Sequence, residues 1–205
     1  MVRSVASIKA AVDELARRER AFARVLEQHG IPEPRVSEPG ATTLLRTIVG
    51  QQVSVAAARS MWSKLEAAYG TPPDLARLLT ATDEELRLAG ISRQKAGYIR
   101  SLAELVLSGE LDLAGLPLDD EEAIALLTRI KGIGRWSAEI YLLFAEGRPD
   151  VWPAGDLAVQ IEIGRLLGLP DKPTEKALRE LAEAWRPHRG AAAVLAWHSY
   201  NSSVL

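Results

Sequence analysis

The stretch KGIGRWSAEIYLLFAEGRPDVWPAGD, from Lys131 to Asp156, decides how this chain is organised. It opens with a short turn that has glycines at 132 and 134, continues as an apolar segment, and ends in a loop before one carboxylate. Glycine accepts positive φ angles and lets other groups come close to the backbone. The stretch therefore predicts two helices joined by a tight hairpin, then a loop, and then Asp156 at the start of a further helix.

The remainder of the chain is also predicted to be helical, so the expected fold class is all-α. No segment shows sustained two-residue alternation or a two-residue hairpin signal. Helical spacing and Gly, Ser and Asp punctuation predict about eleven helices. The first is expected to run unbroken through IKAAVDELARRERAFARVLEQHG. Two segments rich in Gly and Pro predict a central lobe at 37–146 and a second lobe from 1–36 plus 147–205, with a site in the cleft between them.

The composition excludes several classes of protein. The 205 residues include no cysteine and three histidines without metal-binding spacing, so disulfides, iron–sulfur clusters and cysteine-ligated zinc are excluded and no cofactor is expected to be required. The N-terminus lacks the apolar core of a signal peptide, and the longest apolar run is too short to span a bilayer. A soluble, cytoplasmic monomer without a membrane partner is expected. The net charge of −2 is unfavourable for a nucleic-acid binder, but a local basic strip suffices for a few phosphates.

The glycine hairpin is a candidate anion site. The helix after Gly134 begins with unpaired N–H groups and the positive end of the helix dipole, and Lys131 and Arg135 flank the turn. A DNA phosphate suits this turn better than a free metabolite, because no long phosphate-cradling loop is present. A GxG turn is weakly specific by itself, and an ordinary helix connection explains it too.

Five segments in a fixed order resemble the helix–hairpin–helix DNA glycosylases, and most closely the 3-methyladenine DNA glycosylase II branch. They are TIVGQQVSVAAA, AGISRQKAGYI, IKGIGRWSAEI, VWPAGDLAVQ and WRPHRGAAAVLAW. The resemblance implies a two-lobed helical fold with an active-site cleft. It also implies a monofunctional enzyme of base excision repair that binds double-stranded DNA and flips out and hydrolyses alkylated bases. Substrates in the family include 3-methyladenine and 7-methylguanine, with 1-methyladenine and 3-methylcytosine in some members.

The resemblance makes Asp156 the catalytic residue. A helix N-terminus favours an ionised carboxylate, which can stabilise positive charge on a sugar and orient the attacking water. An alkylated base already carries positive charge and leaves readily, so a second acid is not needed. Gly155 stands where relatives often have another acidic residue. Asp156 is also expected to cap this helix, and a cap without a catalytic role is the alternative.

The resemblance also implies a base pocket, whose predicted members are Trp136, Trp197, Trp152 and Ile140. Strand-nicking relatives place a lysine two residues after the second hairpin glycine, where it forms a Schiff base with the sugar. This chain has Trp136 there, which favours a monofunctional enzyme. Ile140 stands where close relatives often have tyrosine, and core packing is the alternative role for each tryptophan.

The loop GQQVS, by resemblance, enters the minor groove, and Gln52 fills the gap that the flipped base leaves. A solvated corner is the alternative for this loop. The predicted DNA-binding residues are Gln51, Gln52, Lys131, Gly132, Ile133, Gly134 and Arg135. Family members also hold Na⁺ or K⁺ with hairpin carbonyls, which here would belong to Thr128, Ile130 and Gly132.

Two rival functions are considered. The first is an endonuclease III-type glycosylase with AP lyase activity, against which Trp136 and the absent cluster cysteines argue. The second is a non-catalytic helix–hairpin–helix DNA-binding module, against which Asp156 and the pocket tryptophans argue.

Overall fold

The computed structural model describes residues 5–203, and within that range the chain is all-helical, as predicted, with no strand. Twelve α-helices follow one another within these described residues. They are α1 Val5–Arg18, α2 Arg20–His29, α3 Ala41–Gly50, α4 Val55–Tyr69, α5 Leu75–Thr80, α6 Asp83–Leu88, α7 Arg93–Leu107, α8 Asp120–Leu127, α9 Arg135–Tyr141, α10 Leu157–Leu167, α11 Glu175–Ala182 and α12 Arg189–Ser203. A π turn, Leu142–Glu146, follows α9, and a 3₁₀ turn, Glu183–Trp185, follows α11.

The prediction of one unbroken N-terminal helix is wrong. The chain breaks at Glu19, which has extended backbone angles (φ −132°, ψ 112°) and caps α2 by accepting a hydrogen bond from Ala21 N–H. The break lets Val12 of α1 and Phe22 of α2 enter the same core. A cap made by a residue of high helix propensity is not visible in the spacing of apolar residues, which continues across it.

Other helix ends lie where the sequence places them. Ser54 caps α4 by accepting a hydrogen bond from Ala57 N–H at 3.2 Å, and Gly70 follows the last residue of that helix with φ 100°. A side-chain oxygen at the N-cap satisfies one of the N–H groups that the first turn leaves unpaired. These caps fix both ends of α4. The segment that precedes α4, residues 51–54, is called here the corner loop.

The chain divides into two compact units. The first joins Met1–Ser37 with Leu142–Leu205, and the second is Glu38–Tyr141. The π turn over Leu142–Glu146 thus groups with the terminal helices, whereas the sequence assigned it to the central lobe. The predicted cleft between the lobes stays a prediction.

The first unit is built around α12, which packs against α1, α2 and α10. The alanines of α12 at 191–193 and 196 are buried and allow this close packing. Three aromatic rings complete the core, with Trp185 edge-on to Phe22 at 5.0 Å and to Trp152 at 5.5 Å. Edge-to-face contacts of this kind stabilise a core beyond the area that they bury. The start of α10, where Asp156 lies, is therefore supported by a rigid core.

The second unit is built around α7, which packs against α3, α5 and α6. Its core contains the fully buried side chains Leu44, Ile48, Leu65, Leu78, Leu86, Ile99 and Leu102. Helices α8 and α9 contact each other, and α9 also contacts α3. The glycine hairpin and the corner loop therefore both belong to this unit. In the part of the chain that the structure describes, no helix is long and apolar enough to cross a membrane.

Candidate functional site

Asp156 is presented by a tight turn at the start of α10. Its backbone N–H donates to the Pro153 carbonyl at 2.9 Å, and Ala154 N–H donates to the Trp152 carbonyl at 2.8 Å. The two short bonds fold the WPAG segment into a compact loop, called here the Asp156 loop (residues 151–156). The backbone at Asp156 is extended (φ −71°, ψ 123°), as is usual for an N-cap residue.

The carboxylate of Asp156 has two hydrogen-bond donors on the same oxygen. Val159 N–H donates to Oδ1 at 2.9 Å, and the indole N–H of Trp197 donates to Oδ1 at 3.0 Å. The first contact is the helix cap that the sequence offered as the alternative role. The second brings together two predicted site residues that lie far apart in the chain. The side chain of Asp156 is half-buried, so the group is held firmly and remains in contact with solvent.

Trp197 lies on α12 at the edge of the core. Its ring is partly buried and packs beside Phe144 of the π turn, with the ring centroids 5.7 Å apart and the planes inclined by 38°. A cavity of about 380 Å³ adjoins the same tryptophan and is lined by the 31–35 segment and the end of α12. Trp197 thus combines a core contact, an exposed face and a polar contact with Asp156.

Trp152 does not line a pocket, and the prediction for this residue is wrong. Its side chain is 3% exposed and lies in the core of the first unit against Trp185. Its indole N–H donates to the Leu178 carbonyl at 3.3 Å. Because Trp152 directly precedes Pro153, its buried side chain anchors the Asp156 loop to the core of the first unit.

The hairpin turn between α8 and α9 depends on Gly132. This glycine has φ 84°, a conformation that side chains of L-residues rarely adopt. A Cβ atom placed there would also lie within 2.5 Å of the Tyr98 ring, so the ring occupies the space that a side chain would need. Gly134 is different, because its φ is not positive and a Cβ there would meet nothing within 4 Å. Gly132 is therefore required by the fold, whereas Gly134 leaves open access to the backbone.

The residues between and before the glycines are also distinct. Ile133 is 3% exposed, and its backbone N–H donates to the Ile130 carbonyl at 3.0 Å. The Ile133 side chain is therefore a core contact and its amide is bonded within the hairpin, and a contact of this residue with DNA stays a prediction. Lys131 is exposed, and its ammonium has no ion-pair partner among residues 5–203. Lys131 is thus the hairpin cation that can meet a phosphate without breaking an existing pair.

Arg135 is engaged in a charge network and does not serve as an independent cation. Its guanidinium donates to both carboxylate oxygens of Glu121 at 2.8 and 2.5 Å, and to Glu139 at 2.9 Å. Glu139 is 1% exposed, so the pair also neutralises a buried charge. The hydrogen bonds that Arg135 donates to Glu121 raise the pKa of Arg135 further above its ordinary value. The predicted phosphate contact by this side chain is corrected to a brace between α8 and α9.

Trp136 and Ile140 share one face of α9, as residues four apart on a helix do. Trp136 is 48% exposed and Ile140 is partly exposed. An indole that is half in solvent on a short helix is not a core residue, so this placement agrees with a role in binding. Trp136 and Ile140 belong to the second unit, whereas Asp156 and Trp197 belong to the first.

The corner loop links α3 to α4 and reaches the hairpin. Gln51 donates its side-chain amide to the Gly132 carbonyl at 2.8 Å, so the loop and the hairpin are tied together. Gln52 is exposed at the tip and has φ 53°, the one positive φ at a non-glycine residue in the described range. Backbone strain of this kind is common at functional sites. Gln51 is therefore held against the hairpin, whereas Gln52 is exposed at the tip of the loop.

Two polar residues near these loops escaped the sequence reasoning. Lys95 donates its ammonium to the Val49 carbonyl at the end of α3 at 2.8 Å, and burial lowers its pKa. Gln160 is buried and donates to the Ala154 carbonyl at 2.8 Å, while Lys172 donates to its Oε1 at 2.6 Å. The only sequence signal for Gln160 was a polar residue four positions after Asp156 on an apolar helix. Lys95 thereby ties α7 to the end of α3, and Gln160 ties α10 to the Asp156 loop.

The hairpin carbonyls are the predicted ligands of a monovalent cation. The carbonyls of Ile130 and Gly132 each accept one hydrogen bond, from Ile133 N–H and from the Gln51 amide. A carbonyl oxygen has two lone pairs, so each retains capacity for an ion. Neutral carbonyl oxygens are the ligands that replace the hydration shell of K⁺ in proteins. An ion on these carbonyls stays a prediction. In the described range no group of His, Cys, Asp and Glu residues could hold a metal.

The chain is similar in sequence to known proteins. A family model described as "HhH-GPD superfamily base excision DNA repair protein" matches residues 45–187. DNA-3-methyladenine glycosylase 1 of Schizosaccharomyces pombe is 34% identical over 166 residues, which cover 79% of this chain and 72% of the yeast protein.

Two solved structures resemble the chain over nearly its whole length. The S. pombe 3-methyladenine DNA glycosylase Mag1 in complex with abasic DNA has a TM-score of 0.79 and 30% identity, and covers 96% of this chain and 97% of that one. A DNA-3-methyladenine glycosidase from Bacillus halodurans has a TM-score of 0.86 and 31% identity, with 95% and 90% covered.

Proposed function

Because the chain belongs to the HhH-GPD superfamily of base excision DNA repair proteins, we propose that it is a monofunctional DNA glycosylase that hydrolyses alkylated bases from double-stranded DNA. The predicted helix–hairpin–helix glycosylase fold is confirmed by the two structural matches. The observation that best supports a glycosylase activity is the placement of Asp156. It caps α10 in the family fold, with its carboxylate held by Val159 and Trp197.

Asp156 supplies a fixed negative charge at the reaction centre. Breakage of a glycosidic bond leaves positive charge on the sugar, and a preorganised carboxylate stabilises that charge as it develops. The N-terminus of α10 favours the ionised form of the carboxylate. The same group orients the attacking water or accepts its proton. Because an alkylated base is already cationic, it departs without protonation by a second acid.

The second unit holds and opens the duplex. The backbone at Gly134 and the ammonium of Lys131 bind a DNA phosphate, which positions the enzyme without reading sequence. Gln52 at the tip of the corner loop fills the gap in the base stack, and the Trp136 ring stacks on the flipped base. An electron-rich indole favours a cationic base over a neutral one. This preference restricts hydrolysis to alkylated bases such as 3-methyladenine and 7-methylguanine.

The reaction ends at an abasic site with both strands intact. A strand-nicking mechanism needs an amine that attacks the sugar and forms a Schiff base. Trp136 occupies the position of the lyase lysine, and Lys131 lies before the turn. The mechanism needs no redox cofactor. A Na⁺ or K⁺ ion on the carbonyls of Thr128, Ile130 and Gly132 would add positive charge beside the phosphate.

The test is incubation of the purified protein with duplexes that each carry one alkylated base. Release of free base without a nick, and without a covalent adduct after borohydride reduction, supports the proposal. A nick without alkali or a trapped adduct would instead support the endonuclease III-type rival. Binding without base release would support a non-catalytic module. A panel of 3-methyladenine, 7-methylguanine, 1-methyladenine and 3-methylcytosine then identifies the preferred base.

A further inference from the structure

The contact between Trp197 and Asp156 joins two helices at the proposed catalytic carboxylate. An indole N–H can only donate a hydrogen bond, so its position selects the acceptor oxygen of the carboxylate. The Oδ1 atom of Asp156 receives this N–H at 3.0 Å and Val159 N–H at 2.9 Å. The two donors belong to α12 and α10. The carboxylate is thereby fixed relative to both helices.

Helix α12 holds the indole firmly in place. Phe144 packs beside the ring, and the residue after Trp197, His198, has its Nε2 atom 2.9 Å from the His29 carbonyl of α2. Ser199 is fully buried and accepts a hydrogen bond from Arg165 at 3.2 Å. These contacts hold the ring and the two residues that follow it in α12. The N–H group is therefore a preorganised donor.

The first donor alone does not fix the orientation of the carboxylate. Rotation about the terminal bond of an aspartate is broad, because this torsion joins tetrahedral and planar carbon atoms. A cap hydrogen bond to one oxygen restrains the position of that oxygen but leaves the tilt of the plane loosely defined. The second donor belongs to another helix and reaches the same Oδ1 atom from a different direction, which narrows the range of tilts. A charged carboxylate also strengthens each bond relative to a neutral pair.

We propose that Trp197 is a positioning residue, whose indole N–H sets the orientation of the Asp156 carboxylate for catalysis. This inference rests on the proposed function. It differs from the role that the family resemblance implies for Trp197, which is a wall of the base pocket. A wall needs only the ring, whereas a positioning donor needs the N–H. The two roles are therefore separable by a substitution that keeps an aromatic ring.

The experiment compares wild type with Trp197→Phe under single-turnover conditions at saturating enzyme. The variant should lose about 10-fold or more in the rate of base release, as expected when one preorganised hydrogen bond acting in the transition state is removed. Its affinity for an abasic duplex should stay within about 2-fold of wild type, since uniform binding is retained. Trp62→Phe is the matched control, because the indole N–H of Trp62 is buried without a hydrogen-bond partner. That control should release base at the wild-type rate.

Three results would overturn the inference. A wild-type rate for Trp197→Phe would show that the ring alone matters. Equal losses in rate and in abasic affinity would assign Trp197 to the fold. An equal loss in Trp62→Phe would make the effect general to tryptophan replacement. Asp156→Asn is measured in parallel, because near-normal base release by that variant would refute the proposed function itself, independently of what Trp197→Phe shows.

Discussion

The two hairpin glycines permit a prediction in which alanine substitutions two residues apart have different effects, one on stability and the other on DNA binding. Gly132→Ala introduces a Cβ within 2.5 Å of the Tyr98 ring at a residue with φ 84°. Overpacking costs about 1–3 kcal/mol. The left-handed backbone costs a non-glycine residue about 1–2 kcal/mol. The sum is about 2–5 kcal/mol, out of a total stability of about 5–15 kcal/mol for a typical protein.

This cost is measurable by thermal unfolding. At about 2–4 °C per kcal/mol for a chain of this size, Gly132→Ala should lower the Tm by about 4–20 °C. The double variant Gly132→Ala with Tyr98→Ala should recover part of the clash energy, since the ring that meets the new methyl group is gone. A wild-type Tm for Gly132→Ala would refute the argument that the Tyr98 ring and the positive φ together require glycine.

Gly134→Ala is the matched control for the fold and the test for the phosphate contact. A Cβ at this position meets no atom within 4 Å, so the free energy of unfolding should change by about 0.5 kcal/mol or less. DNA affinity should nevertheless fall by a similar factor for undamaged duplexes of different sequence, because phosphate contacts carry no sequence information. Fluorescence anisotropy with two unrelated duplexes measures this. A loss confined to lesion-containing DNA would contradict the phosphate role.

The remaining predictions concern the side chains around the hairpin. Lys131→Ala should reduce the slope of log Kd against log salt concentration by about 0.9, the value for one phosphate contact. Arg135→Ala should leave the slope unchanged and lower the Tm, because it removes the guanidinium that bonds to the buried Glu139; a reduced slope for Arg135→Ala would restore its phosphate role. Trp136→Ala should lose about 5- to 150-fold in base release while abasic affinity is kept, since base stacking is worth about 1–3 kcal/mol; equal losses would make Trp136 structural. Gln52→Gly should relieve the positive φ and raise the Tm slightly while slowing base release, and unchanged release would remove Gln52 from the wedge position.

The parts of the site that the sequence predicted correctly are those set by local chemistry. The hairpin glycines were expected to permit positive φ, and Gly132 adopts it whereas Gly134 does not. Asp156 was expected at the N-terminus of a helix, and it caps α10. The cap of Ser54 and the stop at Gly70 follow the same logic, because each depends on residues within one helical turn.

The parts that failed depend on residues distant in the chain. The burial of Trp152 depends on Trp185 and Leu178, and the ties of Arg135 depend on Glu121 of the preceding helix. No spacing rule reveals that Gln51 reaches the Gly132 carbonyl across the intervening helices. The family resemblance could transfer residue types to positions. It could not show which side of a loop each side chain would occupy.

The central claim is that the Asp156 carboxylate accelerates hydrolysis of the glycosidic bond, and single-turnover base release by Asp156→Asn tests it most directly. Asparagine is as good an N-cap as aspartate, so α10 and the fold should be preserved. The account predicts wild-type melting, near wild-type affinity for an abasic duplex, and a loss of about 10²-fold or more in the rate of base release. A rate near that of wild type, from a folded variant that binds DNA normally, would contradict the account.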